Sequence, residues 1–194
     1  FFVENVIPGD VVDVKIKKKK KSFAECYVVE YHSRGEGYID PKCEHFDYCG
    51  GCKWQNLTYE KQLHYKKKQV IDSIERIGHI QNPPVKDCIA SPEQFAYRNK
   101  MEFSFSDMRW LTKEELGNPE IEKGFACGLH VPGAYNKIVD INHCHISDDM
   151  FNVILNEFKA FAMNSDIPVY NLKSHEGVWR FLMIRRGVHP NEYM

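Results

Sequence analysis

The chain has 194 residues, 43% of them apolar and 27% charged, with a formal net charge of -1 and a mean hydropathy of -0.49. No run approaches the roughly 20 consecutive apolar residues that cross a bilayer as a helix, which excludes a helical membrane span, and near-zero net charge excludes a global polycation, so any case for nucleic acid rests on local clustering of basic residues. Seven cysteines, an odd number, with no secretory signal from Phe1 onward argue against a disulfide framework and point to the reducing cytoplasm.

This length can bury one large core, or a medium core beside a small one; we expect the second arrangement. Residues 1–40 read as β-structure. Pro8-Gly9-Asp10 is a turn signal, Val11, Val12 and Val14 lead into Ile16, and Ala24, Tyr27, Val28 and Val29 resume the pattern. Two or three strands close no core of their own, so this segment either packs on the rest or belongs to a small barrel whose first strands precede the apolar start at Phe1. Between the strands, Lys15 and Lys17 to Lys21 place six positive charges within seven positions. Such a run is usually a solvated loop that protects a sheet edge, and it also suits the sequence-independent phosphate term of nucleic-acid binding.

Next comes Cys43-Glu44-His45-Phe46-Asp47-Tyr48-Cys49-Gly50-Gly51-Cys52. Two glycines between thiols let the backbone wrap closely around a bound centre with amide N–H groups free to point at sulfur. A third cysteine six positions upstream favours a metal site over a pair of ordinary buried thiols. Thr58 and Gly78 then bracket a helix with Leu63, Val70, Ile71, Ile74 and Ile77 on one stripe and Lys61, His64, Lys67 and Lys68 largely on the other side. Asn82-Pro83-Pro84 breaks the chain. Met101, Phe103 and Phe105 alternate with Glu102, Ser104 and Ser106 as in a half-buried strand. Further strands are expected at 124–131, 137–141 and 178–186, with an irregular polar stretch over 107–123. A second helix, capped by Ser147 with Asp148 and Asp149 in its first turn, presents Phe151, Ile154, Leu155, Phe158, Phe161 and Ala162 on one face. Strands and helices without regular βαβ alternation predict an α+β fold.

Cys144 is the best candidate for a fourth ligand, because it sits at a junction between a predicted strand and the second helix. Cys26, Cys88 and Cys127 lie in apolar patterns and read as small hydrophobes. Four thiolates suit tetrahedral zinc or an iron–sulfur cluster; the absence of a second Cys-x2-Cys knuckle favours the cluster, while zinc would need an irregular site using His45, His143 or His145. Those histidines read more simply as surface or neighbouring groups. Lys53-Trp54 after the motif and Tyr97-Arg98-Asn99-Lys100 before the strand at Met101 pair an aromatic with a cation, as proteins that hold single-stranded RNA do. Lys17, Lys18, Lys19, Lys20, Lys53, Trp54, Arg98 and Lys100 are therefore the expected RNA contacts. Arg180, Arg185 and Arg186 add a third basic group, beside Trp179, Phe181 and Met183, which read as core.

These residues together resemble the RNA (uracil-5-)-methyltransferase family over nearly the whole chain. Pro8-Gly9-Asp10-Val11-Val12 and the lysine-rich turn resemble the latter part of a TRAM domain, an OB-like β-barrel that binds RNA. Cys43-x5-Cys49-Gly50-Gly51-Cys52-Lys53-Trp54-Gln55, with Tyr59, Gln62 and Lys66, resembles the family's iron–sulfur motif and following helix. Tyr97 to Phe105 and Phe181 to Met194 resemble strands of its central domain, and Cys144 matches the remote cluster ligand. The resemblance implies an N-terminally incomplete TRAM barrel over 1–40 and a central RNA-recognition domain over 41–194 holding a [4Fe-4S] cluster on Cys43, Cys49, Cys52 and Cys144. It implies a monomer acting on RNA, foremost 23S ribosomal RNA with transfer RNA as an alternative. It also implies that the S-adenosylmethionine-binding Rossmann-like domain, whose cysteine adds to C6 of uracil before C5 takes the methyl group, lies beyond Met194, so the chain alone would be inactive. The rival readings are a zinc-stabilised RNA-binding module and an iron–sulfur electron-transfer domain.

Overall fold

In the computed structural model, which describes residues 1–112, 114–171 and 174–194, the chain divides into two compact units. Unit 1 comprises Phe1–Lys42 and Lys53–Pro92, and unit 2 comprises Cys43–Cys52 and Glu93–Met194. The helix after the cysteine motif, placed with the second domain by a boundary at residue 40, therefore falls with the first unit, whereas the cysteine decad falls with the second.

Unit 1 contains β1 (Phe2–Val3), β2 (Val11–Lys19), β3 (Ala24–Ser33) and α1 (Tyr59–Arg76). The strands form one sheet in the order β1-β3-β2, with β1 parallel and β2 antiparallel to β3. The turn ahead of β2 is fixed by Asp10, whose carboxylate accepts from the Ile7 and Gly35 N–H groups at 3.0 and 2.7 Å and from Arg34 at 3.2 Å. Gly9 has φ +94° and Gly35 lies so close that a Cβ there would come 2.2 Å from the Pro8 carbonyl oxygen; only glycine fits this approach. A register shift between Ile16 and Lys18 puts a bulge in the lysine-rich strand, which twists the edge as bulges do. Helix α1 ends as expected, with Ile77 as C-cap and the Gly78 N–H donating to Ser73 O. Its start differs, since Thr58 occupies the N-cap without a side-chain capping bond. No residue of α1 is fully buried, so its apolar stripe is only half covered.

Unit 2 is a five-stranded sheet with one helix against it. Its strands are β4 (Lys100–Ser106), β5 (Ala126–Val131), β6 (Ala134–Asp140), β7 (Phe181–Gly187) and β8 (Glu192–Tyr193), antiparallel throughout in the order β6-β5-β4-β7-β8, and its helix is α2 (Asp149–Met163). The core gathers Met101, Phe103 and Phe105 of β4, Leu182 and Ile184 of β7, and Phe151, Leu155 and Ala162 of α2. Each fully buried side chain of the size of Leu or Phe contributes about 1.5–3 kcal/mol, and the period-2 and period-3.6 spacings of these residues place them on facing surfaces. The α+β expectation holds.

Four local expectations are corrected. Ser104 and Ser106 are buried rather than solvent-facing: the Ser104 hydroxyl lies 3.0 Å from His130 Nε2, and Ser106 Oγ donates to Met108 O, so each polar group on that face has a partner. The N-cap of α2 is Asp148, which accepts from Met150 N, while Ser147 turns its hydroxyl to Cys144 O. Phe181 and Met183 are 49% and 45% exposed, not core, because β7 alternates and they share its outer face. Phe158 and Phe161 of α2 are likewise exposed. The stretch 107–123 contains no named helix or strand among the described residues; Lys113, within it, lies outside them.

Candidate metal centre and nucleic-acid contacts

All four candidate ligands belong to unit 2, with Cys49 and Cys144 buried in its main core and Cys52 packed against that core. Cys43 lies close enough to Cys52 and Cys144, and Cys49 to Cys43, Cys52 and Cys144, that negative charge on those neighbours disfavours it on Cys43 and Cys49. None of the seven cysteines, all of them described, is in a disulfide.

The two glycines have separate steric reasons. Gly50 lies against β5, where its N–H donates to His130 O at 2.9 Å and a Cβ would come 2.7 Å from that same oxygen. Gly51 turns its N–H to Cys49 Sγ at 3.4 Å, and a Cβ there would meet that sulfur at 3.4 Å and Leu129 at 3.0 Å. The amide aimed at sulfur is the contact that stabilises a thiolate or a cluster-bound sulfur. Cys144 is held from its own side: its N–H donates to Asn152 Oδ1 at 2.8 Å, and its carbonyl accepts from Ser147 Oγ at 3.0 Å.

The loop that leads to Cys144 is tied to α2 by Lys159, whose buried ammonium donates to Asp140 at 2.8 Å, to Asn142 Oδ1 at 2.7 Å and to Ile141 O at 3.3 Å. Asp140 in turn accepts from the Cys127 N–H at 2.9 Å. Neither Asp140 nor Lys159 stands out in the sequence, because a lysine on a helix normally reads as solvated surface. Truncating Lys159 leaves Asp140 with an unpaired, half-enclosed charge, so Lys159→Ala is expected to destabilise unit 2 by about 3 kcal/mol. Chemical denaturation checks this; a midpoint equal to wild type would mean the pair contributes nothing.

Burial governs the titration of these thiols. It pushes Cys49 up to about 11 despite the Gly51 amide, pushes Cys127 up to about 12, and raises Cys43. Burial also lowers His45, keeping its ring neutral. His45 Nδ1 meets Tyr48 OH at 3.2 Å, while Nε2 is 3.3 Å from Glu44 yet makes no hydrogen bond with it. A thiol with a higher pKa when folded holds its proton more tightly in that state, so its stabilising contribution is complete below the ordinary value of 9.0 and is lost as the pH rises towards 11. The metal-free protein is therefore expected to lose roughly 2 kcal/mol per such thiol between pH 9 and 11. Unfolding curves across that range test this, and Cys127→Ala should flatten the loss.

Four thiols are a donor set that suits either tetrahedral zinc or an iron–sulfur cluster. Four sulfurs on one tetrahedral zinc, at Zn–S of about 2.3 Å, sit about 3.8 Å apart. Among the described residues only Asp13, Glu30 and His32 bring three ligand atoms within 4.8 Å of one another, and no trio of cysteines does. That exposed trio is held by a His32–Asp13 contact of 3.1 Å and needs no ion.

The expected RNA contacts are divided between the two units. Lys17, Lys18 and Lys19 lie exposed on β2, and Lys20 in the following turn donates its N–H to Phe23 O. Exposed Lys53 and half-buried Trp54 belong to the same unit on another segment. Arg98 and Lys100 belong to unit 2, where the Arg98 N–H donates to Ile146 O beside the Cys144 loop and Lys100 sits 3.8 Å from Glu102. In the third basic group, Arg186 is engaged by Asp148 and Asn191, and Arg180 stacks over Tyr170 and Phe181.

No family model matches the chain. It is 43% identical to a Bacteroides thetaiotaomicron protein described as an uncharacterized RNA methyltransferase, over 95% of this chain and 41% of that protein. The chain is related to a segment of RNA methyltransferases. A Chlorobaculum tepidum protein of the same description is 39% identical over 96% of this chain and 39% of its own length, so the chain spans about two fifths of the relatives it matches. Among solved structures, the Pyrococcus abyssi tRNA (uracil-54, C5)-methyltransferase, in complex with S-adenosyl-L-homocysteine, aligns with a TM-score of 0.65 at 23% identity, over 99% of this chain and 39% of that one. That likeness establishes a shared fold. Among the described residues no helix is long and apolar enough to cross a membrane.

Proposed function

We propose that this chain is the RNA-recognition portion of an S-adenosylmethionine-dependent RNA (uracil-5-)-methyltransferase, acting on 23S ribosomal RNA as a monomer. In this reading unit 1 carries a TRAM-type, OB-like sheet, and Cys43, Cys49, Cys52 and Cys144 hold a [4Fe-4S] cluster in unit 2. The observation that carries it is the convergence in one unit of four thiols from two distant segments, met by an amide aimed at sulfur. The lack of a second Cys-x2-Cys knuckle in the sequence supports the cluster over zinc. The relatives' names support RNA as substrate, and the S-adenosyl-L-homocysteine bound in the fold neighbour supports S-adenosylmethionine as methyl donor. In this reading, cofactor binding and methyl transfer fall to the part of such an enzyme that the relatives have and this chain does not span. The cluster's role here is structural: it joins the start of unit 2 to the loop ahead of α2.

Metal and sulfide analysis with an absorption spectrum, on protein purified without oxygen, tests the reading. About four irons and four sulfides per chain with a broad visible band are expected; one zinc without sulfide would replace it with a zinc-stabilised RNA-binding module.

A further inference from the structure

Within unit 1, the segment after the cysteine motif and helix α1 enclose a cavity of about 330 Å³ that no role described above uses. Trp54, Asn56, Leu57, Tyr65, Lys68 and Gln69 are among its lining residues. Asn56 is only 6% exposed, and its side-chain amide has no hydrogen-bond partner among the described residues; only its carbonyl is used, accepting from Ile39 N at 3.1 Å. The buried side-chain polar atoms left without a partner among the described residues are His45 Nε2 and Asn152 Nδ2, so the Asn56 amide is not a sealed orphan and can meet the donor and acceptor of a ligand in the cavity. The wall is formed in advance, because Gln62 donates to Trp54 O at 2.8 Å and to Leu57 O at 2.9 Å and so ties the segment to α1.

We propose that this cavity receives one unstacked RNA base, whose polar edge is read by the Asn56 amide and whose face packs on Trp54. This rests on the reading of the chain as RNA-binding. Trp and Tyr are the side chains on which splayed-out bases stack, and an amide with one donor and one acceptor matches the hydrogen-bonding edge of a base. The cavity is at the lower end of the roughly 300–1,000 Å³ typical of ligand sites, which suits a base with its sugar and is too small for a dinucleotide. Lys68 is bound to Asp72 at 3.1 Å through both carboxylate oxygens, so that carboxylate is neutralised. Lys53 next to Trp54 and Lys66 next to Tyr65 are exposed and have no ion-pair partner among the described residues, which leaves both for phosphate.

The test is titration of the full chain, with its metal centre intact, by single-stranded uridine and adenosine pentamers and by an abasic pentamer of equal charge, following tryptophan fluorescence and salt dependence. Base-bearing pentamers are expected to bind at least tenfold more tightly than the abasic one and to quench fluorescence. The quenching should vanish in Trp54→Phe, and Asn56→Leu should lose about tenfold in affinity with an unchanged salt slope. Equal affinity for the abasic pentamer, or quenching that survives in Trp54→Phe, overturns the base pocket while leaving RNA binding in place. A wild-type chain that binds none of the three at any salt overturns the RNA reading itself. The abasic comparison uses only wild-type protein and is therefore independent of how either variant folds.

Discussion

On the proposed ligand set, Cys49→Ser protein, purified without oxygen, is expected to contain no stoichiometric iron and to unfold well below wild type. Serine keeps the shape of the side chain but offers a hard, protonated oxygen in place of a soft thiolate, and its site is buried in the core of unit 2. Cys52 and Cys144 are 92 positions apart, and a cross-link closing a loop of about that length is worth about 5 kcal/mol in the chain-entropy picture. For a unit of this size that corresponds to a drop of about 20 °C in unfolding midpoint. Cys88→Ser, at a half-exposed position outside the ligand set, serves as the control and should keep both iron and midpoint. Iron content in Cys49→Ser equal to wild type would remove Cys49 from the ligand set.

The second large effect concerns RNA and salt. Lys18 and Lys19 are exposed near the end of β2 and have no ion-pair partner among the described residues, so their charge is available to phosphate. Each phosphate contact on single-stranded RNA contributes about 0.7 to the slope of log affinity against log salt. Replacing both lysines with glutamate is therefore expected to reduce that slope by about 1.4 and to weaken binding roughly 10- to 100-fold at low salt, with the unfolding midpoint unchanged. A slope identical to wild type would leave the run as solubilising surface that guards the edge of β2.

Much of the secondary structure is legible in the sequence because local rules and tertiary packing agree. Met101, Phe103 and Phe105 predict β4, and Phe151, Leu155 and Ala162 predict the inner face of α2; all six are buried. What is not legible depends on residues distant in sequence. Ser104 and His130 satisfy each other across β4 and β5, so an alternation of apolar and polar residues there does not mark an inside and an outside. Trp179, Phe181 and Met183 look like core by composition, yet only strand phase decides their side, and two of them face outward. In the candidate centre the cysteines and glycines announce themselves by type and spacing. Asn152 and Lys159, which fix the Cys144 loop, are ordinary polar helix residues whose role comes only from burial. Asn56 is silent in the sequence for the same reason.

The interleaving of the two units sets an order of assembly. Residues 53–92 belong to unit 1, so its chain is complete once Pro92 has been made, while the decad from Cys43 to Cys52 waits for partners that begin at Glu93. At about 5–20 residues per second, a ribosome needs about 5–20 s to travel from Cys52 to Cys144. During that interval three neighbouring thiols are present without the fourth, open to oxidation with one another. If the four thiols hold the proposed cluster, its loading falls to the late stage of synthesis or after it, and the supply of iron and sulfide would then limit how much of the newly made chain reaches its final form.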